Sequence, residues 1–223
     1  MKKQTTNLNK LQSLASQGDA RSQYGLGLKY CIGDEIPTNF EKAEKWYRKA
    51  AEQGYAPAQF NLGSMYDFDI DVPRDGQEAV KWYKKAAELN YPSAQYYLAL
   101  KYDNGEDVPI DYGEAAKWYR KAAEHDYRSA QYRLGVMCSI GEGVPKNIKE
   151  AVKWFTKASE LGVGNSDAQY RLGLIYSIGD EGVLKDLSKA KYWINKSYEN
   201  PNAKTTTVEL AEKIWNQLKL WKY

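Results

Sequence analysis

Five carboxylates come nearest to a metal-binding pattern. Asp67, Asp69, Asp71, Asp75 and Glu78 fall at positions 1, 3, 5, 9 and 12 of a calcium-loop template, a spacing that gathers oxygen ligands around a hard cation. The template also requires a glycine at its sixth position so that the chain can turn, and here Val72 stands there with Pro73 after it. A solvated acidic loop is therefore expected, with no metal and no other cofactor. For acid–base chemistry the chain has a single histidine, His125, with no cysteine or serine motif beside it. Such catalysis needs a partner group within hydrogen-bond reach. No Gly-x-Ser-x-Gly, Walker loop or His-Glu-x-x-His occurs. Gly25-Leu26-Gly27 lacks the third glycine of a nucleotide fingerprint. No catalytic residue is assigned, and the chain reads as a non-enzyme.

Two lysine series invite an electrostatic reading: Lys45, Lys81, Lys117 and Lys153, then Lys49, Lys85, Lys121 and Lys157. Stacked along an outer face, they would attract an anionic partner. Against this, Glu41, Glu78, Glu114 and Glu150 lie in the same segments and offset the charge. The second series also sits near helix C-termini, where cations favour the dipole. A solvated face is the expectation.

These regular spacings come from an internal repeat. Gln23, Gln59, Gln95 and Gln131 lie 36 residues apart and Gln169 follows 38 further on. Trp46, Trp82, Trp118 and Trp154 keep the same step, with Trp193 39 beyond. A period of this length means stacked supersecondary units. Residues 56–91 show how one unit folds. Ala58, Leu62, Met65 and Tyr66 form a helical stripe, residues 67–75 a loop, and Ala79, Trp82, Tyr83, Ala86 and Ala87 a second stripe. Two antiparallel helices per unit follow. Gly27, Gly63, Gly135 and Gly173 share one position, filled by Ala99 in the third unit. Glycine inside a helix costs about 1 kcal/mol relative to alanine, so close approach of two helix backbones is expected there, with Trp82 and Tyr66 filling the space opposite. The repeated tryptophans, Trp118 among them, are expected at buried interfaces.

The expected architecture is all-α: an α/α solenoid, or superhelix, of five units at 20–55, 56–91, 92–127, 128–165 and 166–199. Residues 1–19 are expected to form an N-terminal capping helix, with Lys10 where the units carry Trp, and 200–223 a C-terminal one. Thr206 with Glu209 suits a capping box at the start of that last helix.

Composition narrows the class. Hydrophobic residues make up 43% and charged residues 27%, which fits a folded chain rather than a disordered one. A formal charge of +3 is too small to argue for nucleic acid. No run of eighteen apolar residues exists, so no membrane insertion is expected. The N-terminus lacks an apolar stretch after Lys2-Lys3, so a cytoplasmic location is the simple reading, a removed secretory leader being invisible in the sequence. Cys31 and Cys138 lie three units apart, more than about 20 Å if helices pack 8–10 Å apart, too far for a disulfide. Free thiols are expected.

The residues Ala-Gln, Leu-Gly, Tyr, Lys-Trp-Tyr and Lys-Ala-Ala in each unit resemble the Sel1-like repeats, relatives of tetratricopeptide repeats. Ala130-Gln131, Leu134-Gly135, Gly141-Glu142-Gly143-Val144 and Lys153-Trp154 form the clearest copy. Departures are Cys138 in place of Tyr, residues 67–71 in place of the glycine loop, and Leu184 in place of the loop proline. The paired cysteines of the secreted, cysteine-rich branch are missing. The resemblance implies adaptor or scaffold work in protein complexes, often in bacterial signalling, envelope biology or host contact.

Comparing units separates scaffold from surface. Repeating positions hold helices together, and varying ones are available for recognition. By analogy with tetratricopeptide packing the first helices line a concave side. Its variable positions include Asn61, Ser64, Asp67, Phe68, Tyr97, Leu100, Asp103, Arg133, Val136, Ser139, Arg171, Leu174 and Ser177. Tyr24, Phe60, Tyr96, Tyr132 and Tyr170 recur at a further site, either core or an aromatic ladder. The series runs from acidic and aromatic to basic, and Arg and Tyr are types that anchor interfaces. A monomeric scaffold or adaptor is expected, holding a peptide or folded protein partner in the groove. An immunity or inhibitor protein that neutralises a bacterial toxin or effector is the alternative. A cell-wall or small-molecule hydrolase is a further one, lacking any convergent ionisable constellation.

Overall fold

The computed structural model describes residues 2–68, 73–160 and 165–222. Among these the elements are helical: α1 (Lys2–Ser16), α2 (Ala20–Ile32), α3 (Phe40–Glu52), α4 (Ala56–Asp67), α5 (Gly76–Glu88), α6 (Pro92–Asn104), α7 (Tyr112–Glu124), α8 (Arg128–Ile140), α9 (Ile148–Glu160), α10 (Ser166–Ile178), α11 (Leu187–Tyr198), α12 (Thr205–Gln217) and a 3-10 turn at Leu220–Lys222. The chain divides into two compact units, Met1–Ile110 carrying α1 to α6 and Asp111–Tyr223 carrying α7 to α12. Within each unit every helix packs on the next in sequence, most extensively α2 on α3, α4 on α5, α8 on α9 and α10 on α11. The connections are short, so packed neighbours run antiparallel. This is the α/α-solenoid class.

Local chemistry sets the boundaries. Asn39, Asp75, Asp111, Asn147 and Asp186 stand just before α3, α5, α7, α9 and α11. Each side chain accepts from the backbone N–H three residues on, at 2.8, 3.0, 2.9, 3.0 and 2.9 Å, which satisfies a donor that a helix start leaves unpaired. Helices α4 and α6 begin instead with a proline in their first turn, Pro57 and Pro92. The last helix departs from expectation. Lys204 is the residue before α12 and gives no side-chain cap, so Thr206 already lies inside the first turn and makes no capping box. Its neighbour Thr207 turns the other way, donating to Asp167 of α10 at 2.5 Å.

Two devices alternate along the chain. Between one pair and the next, the repeated glutamine closes the end of the preceding helix. Nε2 of Gln23, Gln59, Gln95 and Gln131 donates to the carbonyls of Ala15, Ala51, Ala87 and Ala123, at 3.1, 3.0, 3.2 and 3.2 Å. All four glutamines are buried, where an unpaired carbonyl would cost about 1–3 kcal/mol. In the fifth repeat Gln169 accepts from Asn200 at 3.0 Å.

Within a pair, the repeated glycine makes room for a ring. A Cβ on Gly27, Gly63 or Gly135 would lie 2.6, 2.9 or 2.7 Å from the ring of Tyr47, Tyr83 or Phe155, and one on Gly173 would lie 2.5 Å from Ile194. The residue seated on the glycine is thus the one after the tryptophan. The expected filler, Trp82 with Tyr66, is replaced by Tyr83, which is fully buried.

The tryptophans divide. Trp82 and Trp154 are buried, and their Nε1 groups donate to Glu78 and Glu150 at 2.8 and 3.2 Å. Trp46, Trp118 and Trp193 are only half-buried, which corrects the expectation for Trp118. Lys49, Lys85, Lys121 and Lys157 place their ammonium groups 4.4, 4.1, 4.3 and 5.1 Å from the ring centres of Trp46, Trp82, Trp118 and Trp154. That is cation–π range, so one lysine series covers rings. The other is largely paired within its own helices, Lys45, Lys81 and Lys117 to Glu41, Glu78 and Glu114 at 2.6, 3.0 and 2.5 Å.

Phe155→Ala should destabilise the protein by about 3–5 kcal/mol, the range for a buried aromatic, whereas Trp118→Ala should cost less than half of that. Denaturant titration followed by helical circular dichroism checks the order, and an equal or larger loss for Trp118 would contradict it.

Candidate interaction surface

In the first unit, side chains of α2, α4 and α6 meet one another. The Asn61 amide sits beside the hydroxyls of Tyr24 on α2 and Tyr47 on α3. Tyr97 of α6 packs its ring 5.5 Å from Phe60 and 6.1 Å from Phe68, both of the α4 segment. Ser64, Leu100 and Tyr97 are half-buried. Tyr24, Phe60, Tyr96, Tyr132 and Tyr170 are half-buried too. Three of these stack on the ring that fills the glycine notch, Tyr24 on Tyr47, Phe60 on Tyr83 and Tyr132 on Phe155, at 5.7, 5.7 and 5.9 Å. They serve the core with one face and reach the surface with the other.

Asp67 and Asp103 point inward rather than to solvent. Asp103 is buried. Asp67 Oδ1 accepts from Lys101 Nζ at 2.5 Å, its Oδ2 from the Tyr83 hydroxyl at 3.2 Å, and its side chain is 7% exposed. Lys101, itself buried, also reaches Asp107 at 3.1 Å and Glu106 at 3.4 Å, and Arg74 bonds Asp107 at 2.7 Å. The segment after α6 is thereby tied to the end of α4. Burial acts first to lower the Lys101 pKa, but its bonds to Asp67 and Asp107 outweigh this and raise it. Burial likewise acts to raise the Asp107 pKa, yet Arg74 and Lys101 hold it below the usual carboxylate range.

This cluster accounts for part of the calcium-like spacing. Asp67 holds an ammonium group, Asp75 caps α5, and Glu78 bonds Lys81 and Trp82. Asp69 and Asp71 lie outside the described residues. His125 is exposed and stands after the last turn of α7, its backbone N–H bonded to Ala122 and Ala123.

In the second unit Val136 and Leu174 are half-buried and Arg171 is exposed. Ser139 and Ser177 donate back to their own helices, to Val136 and Leu174 carbonyls at 2.7 and 2.8 Å. The Arg133 guanidinium lies 5.9 Å from the centre of the Tyr119 ring. Cys138 occupies the place that Tyr66 has in the first unit. There Tyr66 bonds Glu44 at 2.8 Å and also Arg48; with the shorter cysteine, Arg120 bonds Glu150 at 2.5 Å instead. Burial pushes the Cys138 thiol up to about 11 and raises that of Cys31, which leaves both in the unreactive thiol form near neutral pH. Both cysteines are free.

Of one exposed row, the sequence comparison picked out Phe68 and missed Ile32, Ile140 and Ile178. Ile32, Phe68, Ile140 and Ile178 are 71, 56, 58 and 74% exposed, and each stands at the C-terminal end of a first helix. They share one register within the repeat, so the signal was a recurring apolar residue at a helix end, a place where polar residues would be expected. No helix among the described residues is long and apolar enough to cross a membrane.

Helix pairs of this kind, with their conserved-in-register glutamine and glycine joints, define a helical-repeat protein that presents the ends and outer positions of its first helices. The Sel1 repeat family profile matches residues 20–55, 56–91, 92–127, 128–163 and 166–202, and the chain belongs to that family. Repeats of this family generally mediate protein–protein interaction. Among solved structures, the chain is similar to a Sel1 repeat protein from Oxalobacter formigenes, with 36% identity, a TM-score of 0.82, and coverage of 91% of this chain and 81% of that one. It is also similar to a protective antigen of uropathogenic Escherichia coli displaying an SLR fold, with 33% identity and a TM-score of 0.80. That match covers 97% of this chain and 49% of the antigen, so the chain spans about half the antigen's length. No curated protein matches in sequence.

Removing the central cation should be costly. Lys101→Met leaves buried carboxylates uncompensated and is expected to destabilise by about 3–5 kcal/mol. Adding Asp67→Asn should restore part of that loss, as measured by a denaturant double-mutant cycle. The pH dependence has a defined sign. Asp107 is depressed in the folded state, so its contribution is complete above the unfolded carboxylate value of about 3.9 and is lost as pH falls through the folded one. The melting-temperature gap between wild type and Asp107→Asn should therefore be widest near neutrality and close in acid.

Proposed function

We propose that this chain is a non-catalytic interaction scaffold, an adaptor that binds another protein through its first helices. The observation that carries the reading is the exposed row Ile32, Phe68, Ile140 and Ile178, on helices whose opposite faces are buried. Large apolar side chains held in water at one register in four of the five repeats, with Asn104 in the third, cost solvation without helping the core. Apolar and aromatic groups of this kind are what interfaces bury. Around them lie the positions that vary between repeats: Asn61, Ser64, Tyr97 and Leu100 in the first unit, and Arg133, Val136, Arg171 and Leu174 in the second. Asp67 and Asp103 support that surface from beneath. The partner is a protein, and binding involves neither a cofactor nor nucleic acid.

Affinity capture from lysate of the native host tests this, with wild type beside Ile32→Ser/Phe68→Ser and Ile140→Ser/Ile178→Ser/Arg171→Glu. The expected result is a stoichiometric protein recovered by wild type and lost, by at least about tenfold in yield, with one of the variants. All substituted residues but one are more than half exposed, and the remaining Arg171 is exposed, so both variants should keep the wild-type melting temperature. A folded wild type that recovers nothing, or a partner indifferent to both variants, would overturn the proposal.

A further inference from the structure

The first unit carries a second feature on the same rim. The C-terminal turns of α2, α4 and α6 and the segments after them present three exposed apolar residues, Ile32, Phe68 and Ile110. Interleaved with these are Asp34 and Glu35 after α2, Asp67 ending α4, and Asp103, Glu106 and Asp107 in and after α6. Only Lys29, Arg74 and Lys101 among the described residues of these segments oppose them, each already engaged: Lys29 with Asp34 and Glu35 at 2.6 and 2.9 Å, Arg74 with Asp107, and Lys101 with Asp67, Glu106 and Asp107. Leaving aside the buried Asp103, five carboxylates against three cations leave a negative field around the apolar residues, even before the N-cap aspartates are considered. Asp34, Glu35 and Glu106 are its solvent-exposed members.

We infer that the first unit's rim docks a cationic apolar polypeptide segment, in which Lys or Arg alternates with Leu, Ile or Phe. This rests on the scaffold reading above and narrows it to a partner chemistry. Three features point the same way. Surplus carboxylates favour cations and repel acidic segments. Exposed Phe68 with the half-buried Tyr97 ring edge-on beside it, 6.1 Å away, offers an aromatic face to an Arg or Lys stem. Ile32 and Ile110, on either side of the α4 segment in helix order, take the apolar side chains. Three helices bridged by side chains, each about 10 Å across, make a rim of at least about 20 Å, the length of about six extended residues. The rim's own lysines are held by carboxylates, so they do not compete as free charges for an acidic ligand.

Selection from a library of random peptides of about ten residues, on immobilised full-length protein, tests this without presupposing a sequence. Enriched sequences should combine Lys or Arg with large apolar residues. A synthetic peptide of the enriched sequence, titrated by calorimetry, should weaken at least about tenfold against Phe68→Ser and against Asp34→Asn/Glu106→Gln, and should weaken further as salt is raised. These substitutions touch exposed side chains, and helical circular dichroism with the melting temperature verifies that each variant is folded. Enrichment of acidic or uncharged sequences, affinity unchanged in both variants, or no enrichment at all would overturn the inference. The lysate capture is read separately. A captured partner that ignores Phe68 and Asp34 but is lost on substitution in the second unit would keep the scaffold reading and overturn this one.

Discussion

The structure depends on a buried amide. Gln23, Gln59, Gln95 and Gln131 each donate across the turn between helix pairs to a carbonyl eight residues back, as Gln59 does to Ala51 and Gln131 to Ala123. A helix C-terminus leaves four carbonyls unpaired, and in a stack of antiparallel helices those ends are brought close to the next helix, where water has little access. A side chain long enough to reach back and able to donate answers the problem. The glycine notch then sets the spacing of the two helices within a pair, since only the missing Cβ lets Tyr47, Tyr83 or Phe155 seat fully. Joint and notch alternate, and together they use up most of the residues that recur.

Charge follows the same economy. One lysine series lies over tryptophan rings and most of the other pairs with glutamates a turn earlier, so a row that suggests an anion-binding face is largely spoken for by its own helices. The acidic segment after α4 is comparable. Asp67, which begins a calcium-like spacing, holds the Lys101 ammonium, and through Asp107 the same lysine anchors the segment after α6. A buried cation with several carboxylates is expensive to assemble and more expensive to break. It ties two neighbouring repeats together where the usual glycine loop is absent.

What is left over after these internal uses includes an apolar row. Ile32, Phe68, Ile140 and Ile178 take no part in joint, notch or ion pair, and they remain in water. Repeats of the Sel1 family generally mediate protein–protein interaction, and these residues are among the exposed apolar ones that the chain's own folding does not account for. His125 stands exposed at a helix end, and the two thiols are raised by burial.

The sequence by itself determined the repeat, the helix pairs and the class of fold, because those depend on local periodicity and on short polar side chains at helix starts, such as Asp75 and Asp111, whose effect reaches only a few residues. It also marked Gly63 and its counterparts as points of close approach. Only the tertiary structure decided which side chain enters the notch, since Trp82 and Tyr83 are neighbours of similar character and the choice rests on the direction each takes from the helix. It likewise decided that Trp118 is half-exposed while Trp82 is buried, and that Thr206 lies past the helix start. Lys101 had no signature at all in the sequence. Its partner Asp67 stands 34 residues away, and an ion pair across that distance exists only once the helices have packed.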